Sequence, residues 1–186
     1  MRHKYRTRGI ILARAPAGEA NASLTILTEE LGLIRARAQG LRRPGAKLAA
    51  ALTTFAEADL QLVRGKDSWR VAGALSLENW FEKLPSRAAR ERAARVTGLL
   101  LRLAGEAGDE ALYATLAGFL SALSVRPEAE HDPIEIMAAL ELLRTLGLDA
   151  GEAPADAFSP EALARASRER ASYVARINRG ITASGL

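Results

Sequence analysis

The chain contains no cysteine, which excludes disulfides, a thiolate nucleophile and any zinc site built on sulfur ligands. Histidine is nearly as scarce. His3 and His131 are the only two and lie far apart in sequence, so a histidine-based metal centre is not expected. Aromatic residues make up 5% of the 186 positions, leaving few rings on which a base or sugar could stack. No apolar run approaches the roughly 20 residues a helix needs to cross a bilayer. Behind the basic N-terminus only the five-residue apolar run Gly9–Ala13 precedes Arg14. That is too short for a signal-peptide core, so a cytoplasmic location is expected. Signatures of catalysis are missing as well: there is no P-loop, no G-x-S-x-G and no H-E-x-x-H. Glu57 and Asp59 form a carboxylate pair two residues apart, of the kind that solvated strands carry routinely. Neither an enzyme nor a bound cofactor is expected.

What the chain does have is positive charge, unevenly spread. The net charge is +4, but residues 1–80 hold 13 Lys and Arg against 7 Asp and Glu, whereas residues 81–186 hold 13 against 15. Between Glu30 and Glu57 there are 26 consecutive residues without a carboxylate. Within them, LIRARAQGLRRPGAKL (33–48) carries Arg35, Arg37, Arg42, Arg43 and Lys47. Arginine dominates, and its planar fork matches phosphate oxygens better than a lysine point charge does. A basic first half joined to a mildly acidic second half points to a polyanion surface on the first half.

Side-chain periodicity also changes near residue 80. Thr7–Leu12, Ser23–Thr28, Leu33–Leu41, Thr54–Val63 and Trp69–Leu75 read as five short strands, with Gly9 a candidate bulge. Pro16-Ala17-Gly18, Glu29–Gly32 and Arg64–Asp67 read as turns. Ala46–Leu52, rich in alanine and leucine, reads as a short helix after the third strand. Five strands with a helix after the third is the order of an OB-fold barrel. From Ser86 the spacing is helical. Ala89, Ala93, Val96, Leu100 and Leu103 form one apolar stripe, and Leu112, Leu116, Phe119 and Leu123 form another. Asp132-Pro133-Ile134-Glu135 reads as a capping box opening a third helix through Leu146. Ser159-Pro160-Glu161 opens a fourth, less amphipathic helix toward Ile177, after a small-residue linker at 147–158. The expected fold is thus α+β, with an N-terminal five-stranded OB barrel over 1–80 and an all-α domain over 81–186.

Several ordered blocks carry a family resemblance. Thr7–Leu12, Gly18-Glu19-Ala20, Thr28–Leu33, Gly40–Pro44, Leu52–Phe55 and Leu60–Gly65 resemble the start of the RecO family of recombinational DNA repair proteins. The helical half resembles that family only in architecture and in the segment ALELLRTLGL (139–148). The resemblance implies a barrel that binds single- and double-stranded DNA, promotes strand annealing and helps load a recombinase. It also implies two protein partners, RecR and the acidic tail of the single-stranded-DNA-binding protein. Family members often carry a four-cysteine zinc module after the 139–148 segment. Here the cysteine-free linker GLDAGEAPADAF stands in its place.

In a strand over Leu33–Leu41, Arg35 and Arg37 project from one face while Ile34, Ala36 and Ala38 face the interior. Arg42, Arg43 and Lys47 then follow on the turn and short helix. Arg6, Arg8 and Arg14 alternate along strand one, and Arg64, Lys66 and Arg70 gather at the last hairpin. These residues are the expected nucleic-acid surface. With Tyr5, Phe55 and Trp69 the only aromatics from Tyr5 to Leu77, and Phe55 expected in the core, contact would rest on phosphate charge with little base preference. Arg92, Arg95 and Arg102 share one face of the first helix and are candidates for the rim of a pocket for an acidic partner tail. Two other classes remain open on the residues alone: an RNA-binding OB protein, and an adaptor whose barrel contacts protein.

Overall fold

The computed structural model describes residues 3–42, 45, 48–65, 68–104, 110–152 and 154–185. They fall into two compact units, Met1–Lys83 with Gly105–Tyr113, and Leu84–Ala104 with Ala114–Leu186.

The first unit is built on five strands: β1 (Lys4–Pro16), β2 (Ala22–Thr28), β3 (Gly32–Ala38), β4 (Ala56–Arg64) and β5 (Trp69–Asn79). They close into a barrel in the order β1-β2-β3-β5-β4. Every pairing is antiparallel except that of β3 with β5. This is the OB-fold expected from the strand pattern. Alternation decides which side chains enter. Ile34, Ala36 and Ala38 are buried with Leu24, Ile26, Leu60 and Leu62, whereas Arg35 and Arg37 on the intervening positions are exposed. β1 is long because its first half pairs with β4 and its second half with β2.

Three sequence expectations about this unit need correction. Gly9 is not a bulge: it pairs regularly with Thr28 and Ala58. Its bare backbone makes room for the core, since a Cβ there would lie 2.8 Å from Ile26 Cγ2 and 2.8 Å from Leu60 Cδ1. The register slips instead between Ile11 and Ala13, leaving Leu12 as the extra residue. Next, β3 stops at Ala38 rather than Leu41. Gly40 turns the chain at φ 67°, and its N–H donates to Asn21 Oδ1 at 3.0 Å. Lastly, the helix expected over Ala46–Leu52 is not formed by its described residues, which make successive turns from Leu48 onward. The run is too short to pass the nucleation barrier alone, and burial of Ala51 and Leu52 in the barrel fixes each residue separately. Ala46 and Lys47 lie outside the described residues. Phe55 follows in the left-handed region (φ 64°), buried as expected. It is pinned on both sides, its N–H donating to Ile11 O at 2.8 Å and its carbonyl accepting from Trp80 N at 3.1 Å. A short helix, α1 (Trp80–Lys83), ends the strand run.

The second unit contains α2 (Arg87–Leu103), most of α3 (Glu110–Val125), α4 (His131–Thr145), α5 (Pro160–Arg168) and α6 (Arg170–Ala183). Ser86 caps α2 by accepting from Ala89 N at 3.2 Å, and of the predicted stripe, Ala89, Ala93, Val96 and Leu100 are buried while Leu103 is half-buried. α4 is the centre: it packs against α2, α5 and α6 and buries most of its side chains. The expected capping box does not form. A 3₁₀ turn at Glu128–Glu130 runs directly into α4, so Asp132 already lies inside the helix. Its carboxylate accepts from Arg170 Nε at 2.8 Å instead. Ser159 does cap, accepting from Ala162 N at 3.3 Å, but the fourth helix is two helices, broken at Glu169 (φ −103°, ψ 24°). The break lets α5 bury Ala162, Leu163 and Ala166 on one apolar face while α6 buries Tyr173 and Gly180. α5 is therefore strongly two-faced, contrary to expectation. The linker at 147–158 is tied down by Arg176, whose guanidinium donates to Asp149 at 3.2 and 2.5 Å. Among the described residues no helix is long and apolar enough to cross a membrane.

Candidate nucleic-acid interface

Strand register places the basic residues of β3 and β5 side by side. Arg37 on β3 is the Cα partner of Arg70 on β5 and of Ser23 on β2; Arg70 is in turn the partner of Val63 on β4, and Val63 of Lys4 on β1. Register partners share a sheet face, so one row around the barrel reads Lys4, Val63, Arg70, Arg37, Ser23. Arg35 stands two residues along from Arg37, opposite Thr25. Arg35 and Arg37 are exposed and Arg70 is half-buried. Among the described residues no carboxylate bridges Arg35, Arg37, Arg64 or Arg70, whereas ten other cationic side chains do hold one. Lys4 belongs to this row and was not singled out from sequence. Its position depends on the β1–β4 register, which the residues alone do not reveal.

At the β4–β5 end lies a cleft of about 390 Å³ lined by Arg37, Gln39, Arg64, Ser68, Trp69 and Arg70, together with Val63 and Gly65. Gly65 is needed there because a Cβ would lie 2.9 Å from Ser68 O, the acceptor of its own N–H. Trp69 is 9% exposed and packs with the barrel core. The Arg64 guanidinium lies 4.8 Å from its ring centroid, and Tyr5 meets it edge-on at 5.1 Å. Tyr5, 39% exposed, is the aromatic of the three that faces water.

Strand one is different. Arg6 makes a fork-like pair with Asp59, at 3.0 Å from Nε and 2.5 Å from Nη2. This hydrogen-bonded pairing holds the Asp59 carboxyl below the ordinary carboxylate range. Arg8 is the register partner of that same Asp59. The Leu12 bulge then breaks the alternation expected for Arg6, Arg8 and Arg14. Arg14 becomes the partner of the inward-facing Leu24, on the opposite pleat from Arg8. Arg42 serves the fold: its Nη1 donates to Gly18 O and its backbone N–H to Ala20 O, both at 3.0 Å, tying the β3–β4 connection to the β1–β2 turn. Arg43, Lys47 and Lys66 lie outside the described residues.

The acidic pair has structural partners too. Glu57 accepts from Trp80 Nε1 at 2.9 Å and from the Tyr113 hydroxyl at 2.7 Å, and burial with that bond pushes the Tyr113 hydroxyl well above its usual range. On α2, Arg92 and Arg95 both donate to Glu135 of α4, and Arg92 also lies 3.6 Å from Asp132. Arg102 is exposed. Among the described residues no group of three His, Asp or Glu side chains is arranged to hold a metal ion.

The barrel and the helices that follow it define the class: an OB-barrel protein with a helical second half. Residues 1–77 match the family model described as "Recombination protein O N terminal". Over 80 residues the chain is 44% identical to the DNA repair protein RecO of Acaryochloris marina, which covers 43% of this chain and 27% of that one. Over 146 residues it is 34% identical to the DNA repair protein RecO of Gloeobacter violaceus, 77% of this chain and 56% of the relative. That second match is longer than the barrel, so the similarity continues into the helices. The chain is similar to the RecO family over its barrel and into the helices, and it spans about half the length of the curated relatives it matches, or less.

Proposed function

We propose that this chain is a non-catalytic DNA repair and recombination mediator. It binds single- and double-stranded DNA through the outer face of β3 and β5, and it promotes strand annealing and recombinase loading. The observation that carries this reading is the row of Arg35, Arg37 and Arg70 on the outer pleat of β3 and β5, with Arg64 joining Arg37 and Arg70 at the cleft, none of the four bridged to a carboxylate among the described residues. Annealing requires two phosphate backbones to approach each other, and unneutralised guanidiniums lower their repulsion. The family names of the relatives support repair as the setting. The division near residue 80 then separates a DNA-contacting barrel from a helical unit available to protein partners, with RecR and the acidic tail of the single-stranded-DNA-binding protein as the proposed ones. Of the helical candidates, Arg92 and Arg95 are held by Glu135, so Arg102 is the better rim residue. A DNA partner is consistent with a cytoplasmic location.

Fluorescence anisotropy with labelled single strands of mixed sequence, titrated at several salt concentrations, tests the reading. A slope of log K against log salt near about −3 is expected, at about −0.7 per phosphate contact on a single strand. A flat salt dependence would overturn it. A second set of titrations with RNA, and pulldowns from nuclease-treated extract, separate this reading from an RNA binder and from an adaptor.

A further inference from the structure

The cleft at the β4–β5 end differs from the rest of the basic face in being concave and in gathering three guanidiniums. Arg37 and Arg70 are register partners on neighbouring strands, and Arg64 closes the third side over Trp69. Among the described residues none of the lining side chains is acidic; Gln39 and Ser68 add neutral hydrogen-bonding groups. A volume of about 390 Å³ is at the small end of the range for small-ligand sites and too small for a run of several nucleotides. A phosphodiester inside a strand brings one negative charge, whereas a terminal phosphomonoester brings close to two and three equivalent oxygens. Three forked donors around one small concavity match the second kind of group better than the first.

We propose that this cleft takes the terminal phosphate of a nucleic-acid strand, with Arg37, Arg64 and Arg70 as its ligands and the end nucleotide against the rim at Trp69. The inference rests on the DNA-binding reading above and gives that surface a polarity. Internal phosphodiesters run along Arg35 and the convex part of β3, and the strand end is captured in the cleft.

The test compares the intact chain binding to one oligonucleotide sequence in three forms: 5′-phosphate, 3′-phosphate and hydroxyl at both ends. An affinity about tenfold higher for one phosphorylated form is expected, the size of one added charge-assisted hydrogen bond, and whichever form wins identifies the end. Because the second ionisation of a phosphomonoester falls near about pH 6, the preference should shrink as pH drops from about 7.5 to about 5.5. The double variant Arg37→Gln/Arg70→Gln should abolish the preference, whereas Arg35→Gln should weaken the three forms alike and keep it. Circular dichroism melts confirm that each variant is folded. Equal affinity for all three forms, with the steep salt dependence retained, would overturn end capture and leave the DNA-binding reading standing. No binding to any form would remove both. A preference that survives Arg37→Gln/Arg70→Gln places the end elsewhere and also overturns the assignment.

Discussion

Replacing Arg35, Arg37 and Arg70 with alanine together is the most direct perturbation of the basic face. Each faces outward or sits half-buried at the cleft, and none is bridged to a carboxylate among the described residues. Their removal therefore breaks no ion pair, and surface changes of this kind stay within about 0.5 kcal/mol of the parent stability. Losing the Arg37–Arg70 juxtaposition relieves like-charge repulsion across β3 and β5, so any small change should be toward greater stability. Binding should respond quite differently. If each guanidinium neutralises one phosphate of a single strand, the salt slope becomes shallower by about 2 units. Between about 50 and about 200 mM salt, 0.6 of a decade, the parent should then lose about 18-fold more affinity than the variant. Anisotropy at four or five salt concentrations reads the slope directly, and Arg6→Ala is the control. Arg6 already belongs to Asp59, so its removal should leave the slope unchanged. A triple variant that melts normally and keeps the parental slope would show that this face is merely solvated. The same slope change in Arg6→Ala would mean that the pairing with Asp59 yields to DNA.

Other expected outcomes concern the scaffold. Gly9→Ala should destabilise the barrel by about 1–3 kcal/mol, the usual cost of overpacking, because the new methyl meets Ile26 and Leu60 at 2.8 Å; a chemical denaturation curve like the parent's would contradict the packing. Glu135→Ala takes away the carboxylate that Arg95 pairs with and leaves Arg92 with Asp132 at 3.6 Å, and should cost about 1 kcal/mol by thermal melting, with Glu135→Gln recovering part of it. Hydrogen bonds from Arg176 and Arg170 hold the Asp149 and Asp132 carboxyls below the ordinary range. The folded value lies under the unfolded one of about 3.9, so their contribution is whole above that pH and fades as pH falls through the folded value. Acid titration of Arg176→Ala should therefore show a smaller loss of stability below about pH 4 than the parent shows, from a lower starting point. Ser159→Ala should cost about 1 kcal/mol through loss of the α5 cap, visible as a lower midpoint in urea.

Most of the architecture was legible because period-2 and period-3.6 patterns are local. Ile34, Ala36 and Ala38 announced the inner face of β3, and Ala89, Ala93, Val96 and Leu100 the buried stripe of α2, without any knowledge of partners. The misreadings occurred where a distant partner decided. Asp132 and Glu135 have capping-box spacing, yet their carboxylates answer arginines on α6 and α2. The Ala46–Leu52 run has helical composition, but residues within it are claimed one by one by the barrel core. Gly9 looked like a bulge because glycine in a strand commonly marks one. Its actual role, admitting Ile26 and Leu60, is a tertiary fact. The basic face shows the same division. Arg35 and Arg37 followed from alternation alone, whereas the spending of Arg6 on Asp59 and of Arg42 on Gly18 O could not be seen without the fold. Nor could the recruitment of Lys4 beside Val63.

The shortage of aromatics takes on a sharper meaning once the barrel is closed. OB barrels that grip single strands stack bases on exposed rings, and this barrel has used its tryptophan otherwise. Trp69 packs against the core, Tyr5 covers one edge, and the Arg64 guanidinium occupies the space over the ring. A base could reach that ring only by displacing Arg64, giving up a cation–π contact of about 0.5–2 kcal/mol and gaining stacking of about 1–3 kcal/mol. The two terms nearly cancel, so the ring contributes little to affinity. The displaced guanidinium, however, remains within the cleft that holds Arg37 and Arg70, where a phosphate can take it. Such an exchange depends on the backbone and its end rather than on which base arrives. Under the proposed DNA contact, such a surface is expected to take any strand with little discrimination between sequences and to leave base edges free to pair with a second strand.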